Sequence, residues 1–194
     1  SIITEYFGGT MPINVTELKP GVTVEIDNNL FRVTEYNHIK VAQQACVRTK
    51  MKNLRTGSTI ERTFNVSERI ETAHIERKNM QFLYHGDDEY NFMDQESFEQ
   101  MTIPAKVLGN AKNYIKEGET IAIMFYGEEP IDVDLPTAVI LKVVETAPGY
   151  KGDTVSGTKP ATMETGLVVN VPFFVNENDK IKVDTRSGSY IERA

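Results

Sequence analysis

Three cations alternate along one stretch of the chain and could neutralise phosphate groups. Arg48, Lys50 and Lys52 are separated by uncharged residues, so an extended strand would carry all three on one face. The interval between Tyr36 and Ile60 contains no Asp or Glu that could cancel their charge. This pattern favours contact with a polyanion, although an ordinary solvated strand face would show the same alternation.

Two further segments have residue types that suit RNA. The first is a small, polar loop whose backbone N–H groups and hydroxyls could contact a nucleic-acid backbone or base edge. Its candidate residues are Gly152, Asp153, Thr154 and Gly157. The second is the C-terminal edge, where Tyr190 offers a plane for base stacking and Arg193 offers a cation. A flexible loop and a solvated edge strand remain the alternative interpretations.

The residues that could support catalysis or metal binding are scattered. His38, His74 and His85 lie in different segments and lack the spacing of a metal site. The single cysteine, Cys46, falls in a strand pattern, and one cysteine cannot form an internal disulfide or a multi-cysteine metal cluster. The sequence has no nucleophile elbow, phosphate loop or dinucleotide fingerprint. We therefore expect a protein that is not an enzyme and needs no metal or cofactor.

Composition places the chain among globular proteins. Of its 194 residues, 40% are hydrophobic and 25% are charged, which excludes bulk disorder. No apolar run approaches the roughly 20 residues of a membrane helix, and the start does not resemble a secretory signal. We therefore expect a cytoplasmic protein without a membrane partner. The net charge of −7 is concentrated in residues 77–139, which hold five Lys and Arg against twelve Asp and Glu.

Period-two hydrophobic patterns dominate and predict a mainly β protein with one short helix. The helix is expected after Pro104, where apolar residues recur at helical spacing up to Gly118. We predict three consecutive small β-barrels, the first SH3-like or KOW-like and the others OB-folds. Their ranges are 12–76, 77–139 and 140–194, after a tail at 1–11.

Several longer segments of the sequence resemble those of a known protein family. Residues 151–162 (KGDTVSGTKPAT) and 182–193 (KVDTRSGSYIER) resemble the signature segments of the bacterial translation elongation factor P family. Residues 92–94 (FMD), 96–100 (ESFEQ) and 48–50 (RTK) are similar to that family as well, and the matches are collinear from about Met11 to the C-terminus. Together these segments identify the chain as a member of this family.

The resemblance implies an L-shaped monomer that binds the ribosome beside peptidyl-tRNA and promotes peptide-bond formation at consecutive prolines. The family's first barrel approaches the tRNA acceptor arm, and its third barrel lies near the messenger RNA at the exit site. The residues of the first barrel that this assigns to tRNA are His38, Lys40, Ala42, Arg48, Lys50 and Lys52. Gly152, Asp153, Thr154 and Gly157 would face the messenger RNA, and Tyr190 and Arg193 would contact the ribosome.

The chain departs from the family at the tip of the first barrel. Family members read His-Val-Lys-Pro-Gly-Lys-Gly there, and an enzyme extends the second lysine, or an arginine in some branches. Here Lys40 matches the first lysine, but Val41-Ala42-Gln43-Gln44 follows, with Ala42 nearest the modified position. Such a tip is more typical of a strand start than of a hairpin turn. Either this chain lacks the modified residue, or tip residues are missing from the sequence as read.

Two other functions remain open from the sequence. The altered tip is compatible with a divergent paralogue that binds ribosomes or RNA without rescuing proline stalls. The acidic middle third is compatible with a β-barrel interaction module that docks a protein partner. Salt-sensitive association with ribosomes or RNA would distinguish the first from the second.

Overall fold

The computed structural model describes residues 10–149 and 157–194, and this part of the chain is mainly β. Its first sheet has the order β1-β6-β2-β3-β4-β5. The strands of this sheet are β1 Thr10–Asn14, β2 Thr23–Ile26, β3 Asn29–Val41, β4 Gln44–Asn53, β5 Thr59–Asn65 and β6 Arg69–Ala73. Met11, assigned to a tail from the sequence, pairs with Thr72 in β1, so the sheet extends into the predicted tail.

The second sheet has the order β11-β10-β7-β8-β9 and carries the short helix. Its elements are β7 Glu76–His85, β8 Glu89–Asp94, β9 Gln100–Pro104, α1 Ala105–Leu108, β10 Thr120–Tyr126 and β11 Glu129–Asp134. The helix is shorter than predicted because Gly109 takes a φ of 53° and a 3-10 turn, Gly109–Asn113, replaces further α-helix. The predicted apolar spacing still marks buried positions, which include Leu108, Ala111, Tyr114 and Ile115.

The third sheet has the order β14-β13-β12-β15-β16 and completes the described fold. Its strands are β12 Ala138–Thr146, β13 Thr158–Met163, β14 Val168–Pro172, β15 Lys180–Asp184 and β16 Tyr190–Arg193. The three sheets and one short α-helix of the described residues confirm the predicted mainly β class. No helix among the described residues is long and apolar enough to cross a membrane.

Packing divides the chain into two compact units. The first contains the chain up to Lys78 together with Ile123–Asp132, and the second contains Asn79–Ala122 together with Val133–Ala194. The first unit has a core around fully buried Val24, Val47 and Met51. In the second unit, Tyr114 packs into the core of the third sheet with residues such as Leu141 and Val183.

Polar contacts join the β10–β11 hairpin to the rest of the first unit. Arg55 donates from Nε and Nη2 to the two carboxylate oxygens of Glu129, at 2.9 and 3.0 Å, and from Nη1 to the Asn28 carbonyl at 2.7 Å. The Arg55 hydrogen bond holds the pKa of the Glu129 carboxyl below its ordinary value. Arg32 pairs with Asp132 at 3.0 Å. Arg55 lies in the interval between Tyr36 and Ile60 that contains no Asp or Glu. This cation therefore helps to hold the fold together.

Candidate nucleic-acid interface

The β3–β4 hairpin carries the candidate tRNA residues, and a bulge in β3 decides which face each one occupies. The pairing shifts between Val33 and Glu35, so the residues that follow in β3 exchange faces. Arg48, Lys50 and Lys52 alternate along β4 as predicted and share its outer face. His38 pairs with Val47, which is fully buried, and therefore lies on the opposite, core-facing side of the hairpin.

Lys40 lies two residues beyond His38 and shares its face. The sequence-derived set thus divides into Arg48, Lys50 and Lys52 on one side and His38 and Lys40 on the other. Sequence reasoning could not reveal this division because the bulge inserts one residue into β3 without a glycine to mark it. A polyanion that contacted all five residues would have to reach both sides of the hairpin.

The three cations of the outer face are not equivalent. The Lys50 ammonium lies 3.5 Å from a Glu35 carboxylate oxygen and 3.9 Å from one of Glu61, so both neighbouring strands supply a counter-charge. Arg48 and Lys52 are exposed and have no ion pair within residues 10–149 and 157–194. These two side chains are therefore the outer-face cations most available to a phosphate.

His38 is held by a short polar relay. The Tyr36 hydroxyl donates to the Thr16 carbonyl at 3.1 Å, which leaves its oxygen to accept from His38 Nε2 at 3.1 Å. The two rings meet edge to face, with centroids 5.2 Å apart. This contact fixes the imidazole beside the hairpin and favours the tautomer with hydrogen on Nε2. Tyr36 was not among the sequence-derived residues, although its spacing of two from His38 places it on the same face.

The hairpin closes in a tight turn, so the expectation of a strand start at the tip was wrong. Val41 pairs with Gln44, and only Ala42 and Gln43 lie between them, at φ values of 48° and 66°. Two consecutive left-handed residues form the type I′ geometry that matches the twist of paired strands. Ala42 thus lies at the tip as the first turn residue. The partner strand β5 ends at Asn65, opposite Cys46, so the tip extends only two residue pairs beyond the three-stranded sheet.

Gly152, Asp153 and Thr154 of the candidate loop lie outside the described residues, and the structure describes its last residue, Gly157. A Cβ atom on Gly157 would lie 2.6 Å from the Phe173 ring, and one on Gly149 would lie 2.6 Å from the Phe173 carbonyl oxygen. Both flanks of the loop therefore pack closely against Phe173. This close packing favours glycine at positions 149 and 157 for structural reasons. Local sequence patterns do not reveal this contact because Phe173 lies 16 or more residues away along the chain.

Tyr190 and Arg193 lie on one face of β16 because a bulge separates them. Tyr190 pairs with Val183 and Arg193 with Ile181, and both partners are fully buried. The Arg193 guanidinium lies 5.8 Å from the centroid of the Phe174 ring and 3.4 Å from an Asp179 carboxylate oxygen. Phe174 is the aromatic plane beside this cation, a role that the sequence reading gave to Tyr190. Tyr190 packs, partly buried, against the core of the third sheet.

The three histidines occupy separate places. His38 lies in β3, His74 is exposed between β6 and β7, and the His85 ring stacks on Tyr90 with centroids 5.1 Å apart. Among the described residues, no group of three His, Cys, Asp or Glu side chains is arranged as metal ligands would be. Cys46 is a buried, free thiol in β4.

Comparison with known proteins matches the chain segment by segment. A family model described as the elongation factor P KOW-like domain matches residues 14–70, the elongation factor P OB domain matches residues 75–133, and the elongation factor P C-terminal model matches residues 139–193. Elongation factor P of Dictyoglomus thermophilum is 50% identical over 184 residues, which cover 94% of this chain and 100% of the relative. That of Pelotomaculum thermopropionicum is 48% identical over 183 residues, covering 93% and 99%.

Solved structures show the same kind of fold at low identity. Eukaryotic translation initiation factor 5A from Methanococcus jannaschii is similar with a TM-score of 0.54 and 22% identity, over 64% of this chain and 97% of that one. A family protein of that factor from Naegleria fowleri gives a TM-score of 0.52 and 16% identity, over 65% and 96%. With three family models in sequence order and relatives up to 50% identical along their whole length, this chain belongs to the elongation factor P family of translation elongation factors.

Proposed function

We propose that the chain binds the ribosome beside peptidyl-tRNA and promotes peptide-bond formation at consecutive prolines by positioning the tRNA end. The observation that carries this proposal is membership of the elongation factor P family along nearly the whole chain. The outer face of β4, with Arg48 and Lys52 free of ion pairs among the described residues, supplies cations for tRNA phosphates.

The physical basis of the activity is positioning. The proline ring fixes φ and constrains its own nitrogen, which makes proline an awkward nucleophile. A factor that holds the peptidyl-tRNA end in a reactive geometry lowers an entropic barrier without supplying an acid, a base or a nucleophile. The rigid support for this task would be the first unit, where Arg55 and Glu129 join the β10–β11 hairpin to the sheet.

The remaining contacts belong to the same proposal. Gly152, Asp153, Thr154 and Gly157 would approach the messenger RNA, and the edge around Tyr190 and Arg193 would contact the ribosome. A modifying enzyme would act on a lysine or arginine at the tip, but Ala42 and Gln43 occupy the tip of this chain. The nearest cation in sequence is Lys40, which pairs with Ala45 two residues before the turn.

The tip favours a second candidate, a paralogue that binds ribosomes without relieving proline stalls. The two-residue turn offers no amine or guanidinium for extension toward the reacting peptide. On this proposal, the chain keeps the ribosome-binding surfaces and acts there in a regulatory role.

A reconstituted translation reaction distinguishes the two candidates. The chain is added to reactions programmed with a message encoding three consecutive prolines, and a message with three alanines serves as the matched control. We expect the chain to raise full-length product from the proline message alone, and co-sedimentation with ribosomes is measured in parallel. Co-sedimentation without any gain on the proline message would support the regulatory paralogue, and absence of both would contradict both candidates.

A further inference from the structure

The same six-residue turn occurs once in each sheet, joining β4–β5, β8–β9 and β15–β16. In each turn the first residue, Asn53, Asp94 or Asp184, accepts from the backbone N–H groups two and three positions later, at distances between 2.7 and 3.3 Å. A Thr or Ser hydroxyl at the fourth position accepts at 3.3 Å from the sixth residue. The three turns therefore share one hydrogen-bonded scaffold.

The fifth position of this scaffold takes a left-handed conformation, and its residue type differs between the turns. Gly57 has a φ of 77° and Gly188 a φ of 72°, as expected where the backbone favours glycine. Phe98 holds the equivalent position in β8–β9 at a φ of 61°, with 69% of its surface exposed. A bulky residue in this region is unusual. The Phe98 side chain neither fills the core nor suits the backbone, so packing against the described residues does not account for it.

Charge separates the three turns further. Residues 53–58 contain Arg55 as their one charged side chain, and residues 184–189 contain one carboxylate and one cation. Residues 94–99 contain three carboxylates and no cation, and Glu96 and Glu99 are exposed beside Phe98. The surface of this turn would repel phosphate, whereas an aromatic face flanked by carboxylates attracts a guanidinium or an ammonium.

We infer that the turn of residues 94–99 is a docking point for an arginine- or lysine-rich segment of a protein partner, with Phe98 as its apolar anchor. The partner cation would lie over the Phe98 ring while Glu96 and Glu99 pair with its charge. On the ribosome, where the proposed function places the chain, this surface would meet basic protein rather than RNA. The exposed aromatic thus has a use that explains its place in a backbone suited to glycine.

The chain contains no tryptophan, so Phe98→Trp introduces a single reporter at the proposed anchor. Its fluorescence is titrated with a capped octapeptide of alternating Gly and Arg, and with oligouridylate as the nucleic-acid comparison. Phe174→Trp is the matched control, because Phe174 is also exposed, at 54%, but already lies beside Arg193. We expect a saturable change at position 98 with the peptide alone, weakened about fivefold by Glu96→Gln with Glu99→Gln.

Phe98→Gly separates docking from folding. Since glycine suits the left-handed backbone, we expect its melting temperature to be no lower than that of the parent chain, while its capture of the peptide on an arginine-peptide resin is lost. A fluorescence response to oligouridylate, no response to the peptide, or a response caused by a second copy of the chain would overturn the inference. Ribosome co-sedimentation is scored separately, so failure of the proposed function is not confused with failure of this docking site.

Discussion

The Ala42-Gln43 turn makes a direct prediction about stability. Each non-glycine residue in the left-handed region costs about 1 kcal/mol or more, and neither side chain can offset this with a local hydrogen bond as Asn or Asp can. The chain provides its own comparison in the β2–β3 turn, where Asp27 and Asn28 take φ values of 51° and 63°. Residues that tolerate this geometry therefore occur at one tight turn of the first sheet and not at the other.

We expect Ala42→Asn combined with Gln43→Gly to raise the free energy of unfolding. Relief of backbone strain at the two residues stabilises the fold by about 2 kcal/mol. The greater freedom of glycine in the unfolded chain offsets up to about 1 kcal/mol of this, so the net gain in stability is about 1 kcal/mol. In a chain of this size, that gain corresponds to a rise in melting temperature of about 2–4 °C. Urea unfolding followed by circular dichroism measures the same change at equilibrium.

Gly57→Ala is the matched control because it introduces a side chain at a left-handed position that glycine already occupies, and so adds backbone strain instead of relieving it. A Cβ on Gly57 would meet nothing within 4 Å, so its cost comes from the backbone alone. We expect a loss of about 1 kcal/mol. If Gly57→Ala destabilises the chain as expected while the double variant at the tip brings no gain, the tip is not a two-residue left-handed turn, and a longer loop must be sought there.

Three further predictions concern the supporting structure. The buried amide nitrogen of Gln95 has no hydrogen-bond partner within residues 10–149 and 157–194, so Gln95→Met is expected to raise the free energy of unfolding by about 1 kcal/mol, and an unchanged urea midpoint would contradict this. Gly149→Ala forces a Cβ against a carbonyl oxygen and should lower stability by about 1–3 kcal/mol, more than Gly157→Ala, whose ring neighbour can shift. Because the pKa of Glu129 is lowered in the fold, the ionised carboxylate stabilises the folded chain, and this contribution should be lost as the pH falls below 4.5, the ordinary pKa of a glutamate. Glu129→Gln should remove this part of the acid dependence of unfolding, and Glu128→Gln should not.

The sequence predicted the two faces of β4 because its cations and apolar residues alternate. Arg48, Lys50 and Lys52 lie on the outer face of this strand, as expected. Longer-range features escaped prediction. The bulge after Val33 moves the following residues of β3 to the opposite face of the sheet, and no residue type in the sequence marks it. The bulge depends on the pairing of β3 with β4, which local sequence patterns do not encode.

The repeated six-residue turn shows a second limit of sequence reading. The three segments share only an Asn or Asp at the first position and a Ser or Thr at the fourth, which is too little to register as a repeat. The backbone hydrogen bonds reveal the equivalence, and only then does Phe98 stand out against Gly57 and Gly188. A side chain becomes informative here because the structure shows which residue the same backbone accepts elsewhere.

The unequal environments of the β4 cations lead to a last prediction, on salt dependence. Each phosphate contact contributes about −0.7 to −0.9 to the slope of log affinity against log salt concentration. Arg48 has no ion pair within the described residues, whereas Lys50 must leave Glu35 and Glu61 before it can neutralise a phosphate. We therefore expect Arg48→Gln to reduce the slope for tRNA binding by about one unit and Lys50→Gln to reduce it much less.

Fluorescence anisotropy with labelled tRNA at several salt concentrations measures these slopes. Lys112→Gln, which removes a cation from the acidic middle third, serves as the matched control and should leave the slope unchanged. Equal slopes for Arg48→Gln and the parent chain would show that the outer face of β4 does not contact phosphate. The tRNA contact would then have to be assigned to the opposite face, where His38 is fixed by Tyr36 and Lys40 lies toward the tip.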